Sequence, residues 1–179
     1  MTTIRRFVCD DLFKFNNINL DYLTETYYLP FYLQYLSKWP SLLSMAEDLL
    51  ILLNLLLNLL FLVIGKAEGE GINWHGHVTA VSVAPEFRRI GLADRLMHIL
   101  EEGSEKIYDG YFVDLFVRKS NTLAINMYTK FGYSVYRTVI GYYSGDEDAL
   151  DMRKALPRDV EKKSIIPLKH PVYPTDADL

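Results

Sequence analysis

One cysteine, Cys9, stands in a chain of 179 residues. It cannot form an internal disulfide, and no Cys-x-x-Cys pair exists to hold zinc, so a reducing compartment is expected. Cys9 itself reads as a small buried residue, because nothing near it in sequence would lower a thiol pKa and make it a nucleophile. Runs of basic residues are also missing. The 19 Lys and Arg face 23 Asp and Glu, a formal charge of −4, which suits the chain poorly to gripping nucleic acid by its phosphates. The opening MTTIRRFVCDDLFKF is not expected to act as a secretory leader, since Asp10 and Asp11 interrupt it before an apolar stretch develops. Half of the chain is apolar, which excludes a disordered polypeptide.

The most apolar stretch, Leu49 to Ile64, carries only Asn54 and Asn58 as polar residues among its 16 positions. As a helix it would reach about 24 Å, short of the roughly 30 Å hydrocarbon core of a bilayer, so a membrane span is not favoured. It reads as a buried helix with one Asn ridge, or, over Leu60–Ile64, as a central strand.

Elsewhere helix and strand patterns alternate. Asp10 or Asp11 can cap a short helix through Phe13 and Phe15, and Pro30 opens a second that carries Phe31, Tyr35 and Leu36 at helical spacing. His77–Val83 is a β-branched strand stopped by Pro85, Leu92–Leu100 a helix, and Tyr111–Val117 a second strand. Ser120 reads as the cap of a helix whose Ala124, Met127, Tyr128 and Phe131 share a stripe, ended by Gly132. Tyr133–Ile140 and Ala149–Leu156 look like two final strands. These elements predict one α+β domain over residues 1–156, on a mixed, mostly antiparallel sheet, with residues 49–64 as its atypical segment. Residues 157–179 read as a weakly structured tail.

The chemistry concentrates after the first clear strand, in Val81-Ser-Val83-Ala-Pro-Glu-Phe-Arg88-Arg89-Ile90-Gly91-Leu92-Ala93. A strand that runs into a basic glycine turn opening a helix is an anion site. The first helical turn has unpaired N–H groups and partial positive charge, Gly91 and the small Ala93 admit a phosphate closely, and Arg88 and Arg89 add full charges. Without further context, an ordinary solvated basic turn would read the same way.

The pattern Arg88-x-x-Gly91-x-Ala93 resembles the pyrophosphate loop of the GNAT superfamily of N-acetyltransferases. The run Asp114-Leu-Phe-Val-Arg-Lys-Ser-Asn121-Thr-Leu-Ala-Ile-Asn126-Met-Tyr128-Thr-Lys-Phe-Gly132-Tyr133 resembles its second motif. More narrowly, WHGHVTA, SVAPEFRR, FVDLFVR, NMY and GYSVYRTVI resemble the NatB branch, which acetylates protein N-termini beginning Met-Asp, Met-Glu, Met-Asn or Met-Gln. The resemblance implies acetyl-CoA as donor, lying in the splay between the two central strands and bound by the backbone near Val81 and Val83, by Arg88, Arg89, Ile90, Gly91, Leu92 and Ala93, and by Asn121, Asn126 and Tyr128. It implies Tyr128 as the group that protonates the leaving thiolate. It also implies peptide contacts by Glu25, Tyr27, His77, Thr79, Tyr142 and Tyr143, a large helical-repeat auxiliary subunit, the ribosome reached through that subunit, and a cytoplasmic, in part nuclear, setting.

A protein α-amine has a pKa of about 7.7–8.0, so a strong base is not required to free it. Glu25, His77 and Tyr142 are the candidates to take its proton through water. His77 and Thr79, at i and i+2 of one strand, share a face and can jointly meet one carboxylate. His75 and His77 also have the spacing of a strand metal pair, but no third ligand is suggested, and no metal is expected. Two other functions fit parts of the chain: a related acetyltransferase for lysines, other N-termini or small amines, and an inert membrane-associated or scaffold protein that keeps the fold alone.

Overall fold

In the computed structural model, residues 2–17, 27–48, 59–143 and 147–175 are described. Among them are seven strands and three α-helices. They run in the order β1 Thr2–Arg6, α1 Leu29–Lys38, β2 Leu43–Asp48, β3 Leu59–Glu68, β4 His75–Val83, α2 Leu92–Lys106, β5 Phe112–Arg118, α3 Thr122–Lys130, β6 Ser134–Tyr143 and β7 Glu147–Ala155. The expected α+β class holds. The chain forms two compact units, Met1–Lys66 with Val78–Gly103 and Ala67–His77 with Ser104–Leu179.

In the first unit the strand order is β1-β2-β3-β4, with β1 antiparallel to β2 and β2 to β3. Its core gathers Phe7, Tyr32, Tyr35, Leu43, Met45, Leu62 and Ile64, side chains each worth about 1.5–3 kcal/mol when fully buried. Pro30 sits in the first turn of α1, where its missing N–H costs nothing, and Tyr32 and Tyr35, three apart, form the buried face. Of the leucine-rich run, Leu59–Ile64 is strand β3, with Leu62, Val63 and Ile64 buried; residues 49–58 lie outside the described residues. Among the described residues no helix is long and apolar enough to cross a membrane.

Two expectations near the N-terminus are corrected. The helix after Asp10 is a 3-10 helix, Cys9–Asn17, and Cys9 on it is exposed, not buried. The inward residue is Asp11. It is fully buried, takes the Arg5 guanidinium at 2.7 Å, and accepts the Val8 N–H at 2.9 Å. That carboxylate and Glu47 raise the Arg5 pKa, so the ion pair draws the turn inward at Asp11 and leaves Cys9 outside.

The strand order of the second unit is β4-β5-β7-β6. Here β5 and β6 both run antiparallel to β7, with Phe112 opposite Ala155 and Ser134 opposite Arg153. Helix α3 is capped by Asn121, whose Oδ1 accepts the Ala124 N–H at 3.1 Å. Ser120, the expected cap, spends its hydroxyl on Glu147 instead. Gly132, at φ +93°, ends the helix as expected. The stretch after Pro157 is better ordered than its prolines suggested. Leu168 donates to Tyr136 O at 2.7 Å, Val172 donates to Thr138 O at 3.0 Å, and Val172 O accepts from Ile140 at 2.9 Å. Strand β6 is last in the sheet order, and its outer backbone groups need partners, which this stretch supplies.

Candidate active site

In the first unit, β4 ends at Val83, one 3-10 turn follows at Pro85–Phe87, and α2 begins at Leu92. The turn between them is built on two left-handed residues, Arg89 at φ +66° and Gly91 at φ +82°. Arg88 Nε donates to Val83 O at 3.1 Å, tying the basic turn back to the strand end. The first backbone bond of the helix is Arg95 N–H to Gly91 O at 3.3 Å, so the amides just before it are the donors every helix start leaves without an intrahelical partner. Arg88, Arg89, Ile90 and Gly91 are all exposed, whereas Leu92 is buried and anchors the helix. Val81 and Val83 are half-buried on the strand. Thr79 Oγ1 lies 3.0 Å from the Tyr35 hydroxyl. Tyr27 stacks on Phe31 at 4.0 Å, joining the aromatic side of the core. Glu25 lies outside the described residues.

In the second unit, two histidines of β4 converge on one carboxylate of β5. His77 Nδ1 is 2.8 Å and His75 Nε2 is 3.4 Å from Asp114 Oδ1. His75 Nδ1 lies 2.6 Å from Asn73 O, and its ring stacks on Phe112 at 4.6 Å. A carbonyl can only accept, so His75 Nδ1 is inferred to carry a hydrogen toward Asn73 O, while Nε2 faces the Asp114 carboxylate at ion-pair distance. Burial pulls its pKa down, but Asp114, the Asn73 carbonyl and Glu68 outweigh that and hold it above the usual histidine value. Burial likewise pushes Asp114 up, yet the charges of His77 and His75 drive it far below the carboxylate range. Glu68 supplies the third group that the sequence did not suggest, with Oε1 3.9 Å from His75 Nε2 and 3.8 Å from His77 Nδ1. Those same nitrogens are committed to Asp114, and the four side chains form a hydrogen-bonded ion-pair cluster.

The aromatic pair expected opposite the peptide meets this cluster through Phe116. The His77 ring is 5.7 Å from Phe116, Tyr142 stacks on Phe116 at 4.8 Å, and the Tyr143 hydroxyl donates to Phe116 O at 3.1 Å. Asp114, His75, Glu68 and Phe116 were not singled out as site residues from the sequence. Asp114 carried a signal all the same: a carboxylate inside the apolar strand FVDLFVR must be paired if the strand is buried.

On α3, Tyr128 is buried, and burial pushes its pKa up to about 12. No hydrogen bond of its hydroxyl is found among the described residues. Asn121 is committed through Oδ1 to the helix cap, and Asn126 is exposed.

The sequence profile of the Acetyltransferase (GNAT) family matches residues 20–133, and the chain belongs to that family. It is similar to the N-alpha-acetyltransferase 20 of Dictyostelium discoideum, with 92% identity over all of both chains. It is also similar to the N-terminal acetyltransferase B complex catalytic subunit NAA20 of Arabidopsis thaliana, with 56% identity over 99% of each. Among solved structures it resembles Naa20 of Chaetomium thermophilum in complex with a bisubstrate analogue, at a TM-score of 0.87, 44% identity and 97% coverage of both chains. It resembles a chain of the NatB acetyltransferase complex bound to a bisubstrate inhibitor as well, at a TM-score of 0.84, 37% identity and 99% coverage of both.

Proposed function

We propose that this chain is the catalytic subunit of a NatB-type N-terminal acetyltransferase. It moves the acetyl group of acetyl-CoA onto the α-amino nitrogen of nascent chains beginning Met-Asp, Met-Glu, Met-Asn or Met-Gln. The observation that carries the reading is end-to-end similarity to NatB catalytic subunits in a chain that also folds the glycine turn at Arg88–Ala93. The auxiliary subunit of that complex belongs to the same reading, as do its helical-repeat build, the ribosome and a cytoplasmic setting, in part nuclear.

Acetyl-CoA supplies an activated thioester when bound. The amides of Arg89 to Ala93, with Arg88 and Arg89, hold its pyrophosphate at the positive end of α2. Backbone groups near Val81 and Val83, with Asn121 and Asn126, steady the rest of the cofactor. The neutral α-amine attacks the thioester carbonyl carbon, and the carbon–sulfur bond breaks. The proton lost by the amine passes to water, with Glu25, His77 or Tyr142 as acceptor. Tyr128 gives a proton to the departing thiolate, a role suited to a phenol that burial keeps protonated. Tyr27, Thr79, Tyr142 and Tyr143 flank the peptide. Acetyl transfer to Met-Asp, Ser-Ala and Met-Leu peptides, measured with the auxiliary subunit present, tests the reading. Met-Asp is expected to react best, and a preference for Ser-Ala overturns it.

A further inference from the structure

Four side chains of the second unit aim ligand atoms at one point. Glu68 ends β3, His75 and His77 stand two apart on β4, and Asp114 lies on β5. His75 Nε2 is 3.4 Å from Asp114 Oδ1 and 3.9 Å from Glu68 Oε1. His77 Nδ1 is 2.8 Å and 3.8 Å from the same two oxygens. The two ring nitrogens and the Glu68 oxygen lie within 4.8 Å of one another. Tetrahedral zinc, with bonds of about 2.0–2.1 Å, sets its ligand atoms about 3.3–3.4 Å apart. Three of the four distances fall within about 0.6 Å of that edge. The fourth, at 2.8 Å, is a hydrogen bond that must open by about half an ångström to become one.

We propose that this cluster is a zinc-binding site, with His75 Nε2, His77 Nδ1, Glu68 Oε1 and Asp114 Oδ1 as its four ligands. Two imidazoles beside two carboxylates suit zinc, whereas magnesium and calcium select oxygen alone. The two carboxylates carry two negative charges, so a divalent cation between neutral rings leaves the site without net charge, as burial demands. The shared hydrogens that now join rings to carboxylates give way to the metal. Ligation takes the lone pair of each nitrogen, so any hydrogen on it leaves to water as zinc arrives. The third ligand, which the sequence pattern of His75 and His77 did not offer, is Glu68.

The surroundings are those a metal site uses. His75 Nδ1 lies 2.6 Å from Asn73 O, the outer contact that fixes a ligating histidine's tautomer and turns Nε2 toward the metal. Phe112 stacks on the His75 ring, and the Phe116 ring lies 5.7 Å from that of His77, giving the cluster apolar walls. Asp114, His75 and His77 are buried. Glu68 keeps 28% of its side chain exposed, and the cation enters there. Zinc binding here does not depend on acetyl transfer, so the failure of either proposal leaves the other standing.

The test titrates Zn²⁺ alone into the full chain bound to its auxiliary subunit, by calorimetry after treatment with a chelator. Zinc held elsewhere in the complex cancels when wild type and variants are compared. Glu68→Gln, on the exposed side, is expected to weaken one zinc site by about tenfold or more, since losing even an outer partner costs about 10–100-fold. His75→Gln is expected to weaken the same site; should that variant not fold, Glu68→Gln decides alone. Co²⁺ in place of zinc is expected to give the strong visible absorption of a four-coordinate ion, lost in Glu68→Gln. Equal zinc binding by wild type and Glu68→Gln overturns the proposal, as does a weak, six-coordinate Co²⁺ spectrum. So does zinc lost with His98→Gln or His170→Gln instead, since these exposed histidines would mark an adventitious ion only.

Discussion

A methyl group on Gly76 would stand 2.0 Å from the Oγ of Ser104 and 2.7 Å from its Cβ. Ser104 is fully buried on α2 and cannot swing away. The glycine between His75 and His77 is therefore what lets helix and strand close on each other beside the two rings. Gly76→Ala is expected to lower stability by about 1–3 kcal/mol through overpacking. Urea denaturation reads that loss, and a KM for peptide that rises more than the KM for acetyl-CoA reads the displacement of the histidines.

His75 sets a pH window for folding. Its pKa is raised in the folded chain, so the stability it adds is fully present below about pH 6.5, the unfolded value, and is lost as pH rises through the folded value. Asp114 is lowered, so its contribution is present above about pH 3.9 and is lost as pH falls further. Thermal unfolding followed from pH 5 to pH 9 is expected to show a declining midpoint on the alkaline side. His75→Gln should flatten that decline, and an equal slope in the variant would show that another group is responsible.

Tyr128→Phe removes only an oxygen, so the fold is expected to survive while kcat falls by about a hundredfold or more, the usual worth of a general acid. The KM for acetyl-CoA should change little. Because burial pushes the phenol up to about 12, it stays protonated through the working range, and no alkaline loss of kcat below about pH 10 should trace to it. Stopped-time assays across pH with both proteins check this.

Gly91 has nothing within 4 Å of where a Cβ would lie, yet its φ is +82°. Gly91→Ala therefore costs about 1 kcal/mol of backbone strain and no clash. The larger expected effect is a several-fold weaker hold on coenzyme A, measurable by calorimetry, because the turn presents its amides to the pyrophosphate.

Much of the fold was legible because its periodicities are strong. The β-branched run at His77–Val83, the stripe Ala124–Met127–Tyr128–Phe131 and the paired strands near the C-terminus each declare their period. The turn at Arg88–Ala93 was legible because the second motif, Asp114 to Tyr133, follows it in order; alone, glycine and arginine at a strand–helix junction also make an ordinary basic turn. β1 and β2 were missed for physical reasons. TTIRR is too short and polar to declare a period, and every residue from Leu42 to Ala46 is buried, which erases alternation. The cap of α3 was displaced by one residue because Ser120 and Asn121 are equally good acceptors, and only Glu147, far along the chain, decides between them. The ion-pair cluster was hidden for the same reason, since Glu68, His75, His77 and Asp114 become neighbours only through strand pairing.

The stretch from Leu168 to Val172 occupies the hydrogen-bonding margin of β6. Were it cut away, a ribbon of bare amides and carbonyls would face outward, ready to zip onto any extended polypeptide, another molecule of this enzyme included. Shortened forms are for that reason expected to clump in the test tube even where their chemistry is untouched.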